Sequence, residues 1–153
     1  MSAVYTIGFT KKSAEQFFTL LRRSGAERLL DVRRNNTSQL AAFAKAGKDG
    51  AGGDLGWLLA ELCEMEYQHL PELAPSPELL RAYRANELSW DEYSERYLLL
   101  LSQRQAHLRL DPDLIANSVL LCSEHSAEQC HRRLAAIFLR ERWRERTFEI
   151  VHL

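Results

Sequence analysis

Four short segments of this sequence carry residues that could do chemistry together. Cys122 ends the apolar run Ser118-Val119-Leu120-Leu121-Cys122 and is followed by Glu124, His125 and then Cys130-His131-Arg132-Arg133. Asp31-Val32-Arg33-Arg34 ends a second run, Gly8-Phe9-Thr10 a third, and His69-Leu70-Pro71-Glu72 a fourth. A thiol at a strand end, just ahead of a helix start, would have its thiolate favoured by the helix dipole and by nearby Arg, which suits a nucleophile or a redox thiol. A buried Cys is also an ordinary small hydrophobe, and for Cys122 both readings stand. Glu124 and His131 are the candidate acid–base groups beside it.

Cys130 lies four residues before Leu134, which predicts a place on the apolar face of the next helix; turned to the crevice of Cys122, it could pair with it reversibly. Cys122, Glu124, Cys130 and His131 are ligand types suited to zinc or iron, but their spacing is wider than that of most local metal motifs, so no metal site is assigned. Arg33 and Arg132 come from separate segments and could clamp a phosphate or carboxylate, with Asp31 as a positioning partner for either. Gly8, Thr10, Asp31, Arg33, Glu72, Cys130 and Arg132 thus form the candidate substrate-binding set, and Cys122, Glu124 and His131 the candidate catalytic set. The identity of any cofactor is left open.

These segments meet only if the runs that end in them are parallel strands of one sheet, because ligands of open α/β sheets bind beyond the carboxyl ends of the strands. The pattern supports that. Strands are expected at 4–7, 28–32, 67–70, 118–122 and 148–153, alternating with periodic helical segments. Ser13 and Gln16 predict a capping box, with Gly25 as the stop. A short helix is expected at 38–46, and one capped by Asp54 carries Leu55, Leu58, Leu59 and Leu62. Helices follow at 78–84 and from Ser89 to about His107. The stripe Trp90, Tyr93, Tyr97 and Leu101 reads as core, with ligand stacking open to one tyrosine. Ser126 is expected to cap a last helix that turns Leu134, Ile137 and Phe138 inward. The expectation is a three-layer Rossmann-like α/β domain over residues 1–153, with a mostly parallel sheet of about five strands and an order that local pattern cannot supply.

Composition narrows the function classes. A net charge of −1 provides no overall basic field to draw the chain onto nucleic acid. Sixteen of the twenty basic residues are Arg, a skew that either a GC-rich genome or anion recognition would produce. No membrane-length apolar stretch and no secretory leader are present, so a cytoplasmic protein without membrane attachment is expected. Three Cys without a Cys-x-x-Cys motif fit neither a disulfide framework nor a zinc ribbon. Asp49 follows Gly47-Lys48 where a phosphate-binding loop needs Ser or Thr. Glu128 stands where a Cys-based phosphatase loop has Arg.

Tyr5-Thr6-Ile7-Gly8, Leu30-Asp31-Val32-Arg33, His69-Leu70-Pro71-Glu72-Leu73, Leu121-Cys122-Ser123-Glu124 and Cys130-His131-Arg132 together resemble the family called domain of unknown function 488, over nearly the whole chain. The resemblance implies an α/β fold and a site at these positions, and no activity. This chain has Phe9 where the family often has His after the first Gly. The leading expectation is an enzyme acting on a small anionic or nucleotide-like substrate. The alternatives are a nucleic-acid-binding module using Arg33, Arg34, Arg132, Arg133 and the arginines at 140, 142, 144 and 146, or a thiol-based metal or redox sensor.

Overall fold

The apolar runs build an all-parallel sheet. The computed structural model describes residues 2–37, 41–47, 52–123 and 128–153. Its strands are β1 (Ser2–Gly8), β2 (Arg28–Asp31), β3 (Glu66–His69), β4 (Ser118–Cys122) and β5 (Phe148–His152), in the order β3-β2-β4-β1-β5. Every pairing is parallel. Three expected ends move inward by one residue: Val32, Leu70 and Leu153 each still donate one bond, to the Leu121, Asp31 and Thr6 carbonyls, but lie past the last paired residues, so β2 ends at Asp31, β3 at His69 and β5 at His152.

Local signals account for most helices. Helix α1 (Ala14–Ser24) has the Ser13–Gln16 capping box and stops at Gly25, whose φ is 73°. The expected Asp54 cap does not start helix α2 (Gly53–Cys63); its N-cap is Gly52, and Asp54 sits in the first turn. A Cβ at Gly53 would stand 2.4 Å from the Ala46 carbonyl oxygen, so the chain requires glycine there. The helix expected at 38–46 reduces to one 3₁₀ turn, Ala42–Ala44, and residues 38–40 lie outside the described residues.

Helix α3 (Pro77–Arg84) is capped by Ser76, and α4 (Trp90–Arg104) by a Ser89–Glu92 capping box. The single helix expected as far as His107 is broken at Gln105, with φ 52°, into α4 and a short α5 (Ala106–Arg109); α6 (Pro112–Ile115) follows. Helix α7 (His131–Arg142) has Cys130 at its N-cap without a side-chain cap bond. Cys130 therefore precedes the helix and is not on its apolar face. The expected cap Ser126 lies outside the described residues.

Side-chain alternation along the strands fills two layers. On one face Phe17, Leu21, Leu55 and Leu59 of α1 and α2 pack on Ile7, Leu29, Val119 and Leu121. On the other, Tyr97 and Leu101 of α4 and Leu134 and Leu139 of α7 pack on Val4, Leu30 and Leu120. Burying each such side chain is worth about 1.5–3 kcal/mol. The result is a three-layer Rossmann-like arrangement. Neighbouring strands β1 and β4 send their following helices to opposite faces, α1 to the first and α7 to the second. That divergence opens a crevice beyond their carboxyl ends. No described helix is long and apolar enough to cross a membrane.

Candidate functional site

The crevice is bounded by the ends of β1 and β4. Gly8 is level with Cys122 in the ladder, and its carbonyl accepts from the Lys12 ammonium at 2.8 Å. Two residues on, Thr10 N–H donates to the Ser123 carbonyl at 3.1 Å, and the Thr10 hydroxyl donates to the same oxygen. The alternation that sends Leu120 toward α4 and α7 sends Cys122 the same way. Cys122 is 1% exposed and Cys130 2%. The two form a disulfide, although their Cα atoms stand 7.5 Å apart, wider than the roughly 4.4–6.8 Å usual for one. Donor atoms of Cys122, Cys130 and His131 all lie within 4.8 Å of one another. The crevice that could bring both sulfurs together, an open condition in the sequence, therefore exists.

Arg132, the first-turn arginine of α7, is 1% exposed. Its Nη1 donates to Cys122 Sγ at 3.2 Å and its Nε to Thr6 Oγ1 at 3.3 Å. Thr6 Oγ1 in turn lies 2.5 Å from His152 Nδ1. When the disulfide is reduced, a buried guanidinium beside the Cys122 thiol favours the thiolate. The same field reaches outward: burial, and then Arg132, hold both Lys12 and His152 below their ordinary pKa values. His131 Nε2 lies 2.7 Å from the Val32 carbonyl. A carbonyl only accepts, so Nε2 carries the proton and Nδ1 keeps its lone pair. Burial pushes the His131 pKa down to about 4, opposed by the Val32 carbonyl and helped by Arg132. At neutral pH His131 is an uncharged imidazole.

The Asp31–Arg33 turn is built differently. Asp31 is fully buried, and it receives Arg33 Nε at 2.8 Å, Arg33 Nη2 at 2.7 Å, the Arg33 N–H at 3.1 Å and the Tyr67 hydroxyl at 2.7 Å. Arg33 Nη2 also donates to the Ala44 carbonyl at 2.9 Å, and the guanidinium lies 5.4 Å from the Phe9 ring centroid. Burial, then the Asp31 charge, hold the Tyr67 phenol far above its ordinary pKa, so it remains a donor. His69 Nε2, 2.8 Å from the Arg33 carbonyl, fixes the turn from β3. Within this turn, Arg33 Nη1 is buried without a partner.

Between the sheet edge and helices α3 and α4 runs a cleft of about 710 Å³. Thr10, Ser123, Cys130 and His131 line one side; Tyr83, Arg84, Trp90 and Tyr93 line the other. Arg33 and Arg34 complete its basic lining, and no carboxylate is present among its described residues. The rings form a continuous set: Tyr83 to Tyr93 at 4.6 Å, Trp90 to Tyr93 stacked at 5.5 Å, Tyr93 to Tyr97 stacked at 6.2 Å, and Tyr97 edge-on to His131 at 5.5 Å.

Of the candidate residues, Thr10, Arg33, Cys130 and His131 line the cleft. Cys122 and Arg132 are buried behind Cys130 and His131, and Gly8 is the backbone step beside them. Asp31 sits in the brace with Arg33. Glu72, in a 3₁₀ turn after β3, does not line the cleft and keeps Oε2 buried without a partner. Glu124 and His125 lie outside the described residues.

A family model described as Domain of unknown function DUF488 matches residues 13–139. The chain belongs to that family. No curated protein and no solved structure matches it. In this DUF488 chain, Phe9 is 1% exposed and lies against the Arg33 guanidinium, so the residue after the first Gly supports the brace.

Sequence reasoning missed Tyr83, Arg84 and Asn86, and took Trp90 and Tyr93 chiefly as core. Their helical spacing is that of core residues; only the way α3 and α4 stand across from the sheet edge turns them toward the cleft. The one available signal was ring content, four aromatic side chains from Tyr83 to Tyr97, all of which belong to the ring set above.

Proposed function

We propose that this protein is an enzyme acting on a small anionic substrate that carries a ring, nucleotide-like in shape, bound in the cleft between the sheet edge and α3–α4. The single observation behind this reading is the lining: three arginines and no carboxylate among the described residues, in a chain whose net charge is −1. A planar guanidinium matches phosphate or carboxylate bidentately, and Arg34 and Arg84 are exposed enough to reach one. Tyr83, Trp90 and Tyr93 provide the apolar surface for the ring, since aromatic stacking is worth about 1–3 kcal/mol per base in nucleotide-binding grooves.

The reacting end of the substrate then faces Cys130 and His131, with Thr10 beside them. In this reading, with the Cys122–Cys130 pair reduced and no ion bound, Cys122 is the thiolate held by Arg132, His131 Nδ1 is the proton acceptor at neutral pH, and Glu124 is the second acid–base group. Arg132 positions the thiol from behind and does not clamp the substrate. Arg33 holds the turn, with Nη1 left for the anion.

Titration of Trp fluorescence with nucleoside monophosphates, nucleosides, inorganic phosphate and a short single-stranded oligonucleotide tests the proposal. Saturable binding of at least one monophosphate is expected, weaker for the nucleoside and for phosphate alone, and lowered about tenfold by Arg84→Gln. Binding confined to the oligonucleotide, and lowered by substituting Arg140 and Arg144 instead, would replace this reading with the nucleic-acid one.

A further inference from the structure

We propose that Cys122, Cys130 and His131 form a binding site for one thiophilic divalent cation, zinc by donor chemistry, with a coordination position open to the cleft. The three donor atoms already lie within 4.8 Å of one another. Around a tetrahedral zinc with ligands at about 2.0–2.3 Å, donor atoms stand on the order of 3.5 Å apart. Once the Cys122–Cys130 disulfide is reduced, the adjustment needed is one of side-chain rotation.

The backbone spacing points the same way. Cα atoms 7.5 Å apart exceed what a relaxed disulfide usually spans, and once the pair is reduced they let the two side chains part around an ion. His131 carries the outer hydrogen bond typical of metal-binding imidazoles: Nε2–H is committed to the Val32 carbonyl at 2.7 Å. Nδ1 is left as the ligating nitrogen. Arg132 Nη1, 3.2 Å from Cys122 Sγ, favours the thiolate that ligation requires.

The cation binds the reduced pair: a thiol reductant first takes the Cys122–Cys130 disulfide to two thiols, and the binding that follows moves protons and no electrons. Two thiols release their protons to solvent, and the cation exchanges water for two thiolates and one neutral imidazole, leaving an uncharged centre beside the Arg132 cation. A two-Cys, one-His donor set with a remaining open position is a catalytic zinc arrangement. Cys130 and His131 line the cleft, so the open position would take water or an oxygen of the substrate. That last step rests on the cleft reading above; occupancy by the ion does not.

Two measurements on the full chain test the site. Zinc per chain is measured after purification under reducing conditions without chelator, and the stripped, reduced protein is then titrated with cobalt. The expected results are about one zinc per chain, and intense visible cobalt bands of tetrahedral type with thiolate-to-cobalt charge transfer. Cys130→Ser should lose both, weakening cobalt binding by more than the roughly 10–100-fold of an outer-shell loss. Cys63→Ser should keep both. Should Cys130→Ser or Cys122→Ser fail to fold, the wild-type cobalt spectrum still decides. Reduced wild-type protein that binds neither ion, or gives only a weak octahedral spectrum, overturns the site. So does a chain isolated with Cys122 and Cys130 oxidised that stays metal-free after reduction. Nucleoside monophosphate titration of zinc-loaded protein separates the two proposals: zinc retained without nucleotide binding sinks the cleft reading alone.

Discussion

The Asp31–Arg33 turn and the Cys122–His131 edge both put buried polar groups at the carboxyl end of the sheet, but they treat them in opposite ways. Around Asp31 nearly every donor and acceptor is used: the carboxylate receives two guanidinium bonds, a backbone N–H and a phenol, and the turn's Val32 and Arg33 carbonyls are held by His131 and His69. Around Cys122 the sulfurs and His131 Nδ1 keep lone pairs, beside a buried guanidinium. Saturated polar groups hold a shape; groups left with valence can take a ligand. The same His131 serves both regions, its Nε2 closing the brace and its Nδ1 left for the site.

The largest effect should come from breaking the brace. Asp31→Ala leaves the Arg33 charge buried without its carboxylate, and a loss of about 3–5 kcal/mol is expected in urea unfolding. Tyr67→Phe removes one charged-acceptor hydrogen bond and leaves Arg33 in place, so a smaller loss, about 1–2 kcal/mol, is expected. Equal losses would mean that the phenol, not the guanidinium, holds the carboxylate.

The pH dependence sharpens the comparison through the shared histidine. The folded pKa of His131, about 4, lies below the ordinary value of about 6.5. As pH falls, the unfolded chain takes up the proton first, so stability is lost from about pH 6.5 down to about pH 4. For this partly exposed ring the loss should be on the order of 1–2 kcal/mol in chelator-treated protein. His131→Gln should flatten the curve in that window; an unchanged slope would contradict a neutral imidazole there. Arg84→Gln, at an exposed cleft position, should shift stability by no more than about 0.5 kcal/mol while weakening anion binding. A stability loss as large as that of Tyr67→Phe would make Arg84 structural.

Much of the framework was legible because its signals are local. The Val-Leu-Leu run of β4, the Ser13–Gln16 box and Gly25 each act within a few residues. Strand order was not legible, since it depends on which face each crossover takes. The break at Gln105 carries no glycine to announce it, and the Gly52–Gly53 start of α2 depends on a close approach to Ala46 far outside the helix. At the site, the strand-end residues could be named, but not their division of labour. An arginine in sequence reads as a solvent-facing clamp; only the packing of α7 on β1 and β4 turns Arg132 inward onto Thr6 and Cys122. Arg33 is likewise committed by the Ala44 carbonyl, and its partner Asp31 by Tyr67, residues their own segment does not contain.

Measured side by side, zinc content and chelator-treated urea midpoint of Asp31→Asn and Cys130→Ser test the division between brace and site most directly. Asp31→Asn should lower the midpoint strongly while the folded protein keeps its zinc, and Cys130→Ser should keep a midpoint near that of stripped wild type while losing the metal. A Cys130→Ser chain as unstable as Asp31→Asn, or one that still holds zinc, would contradict it.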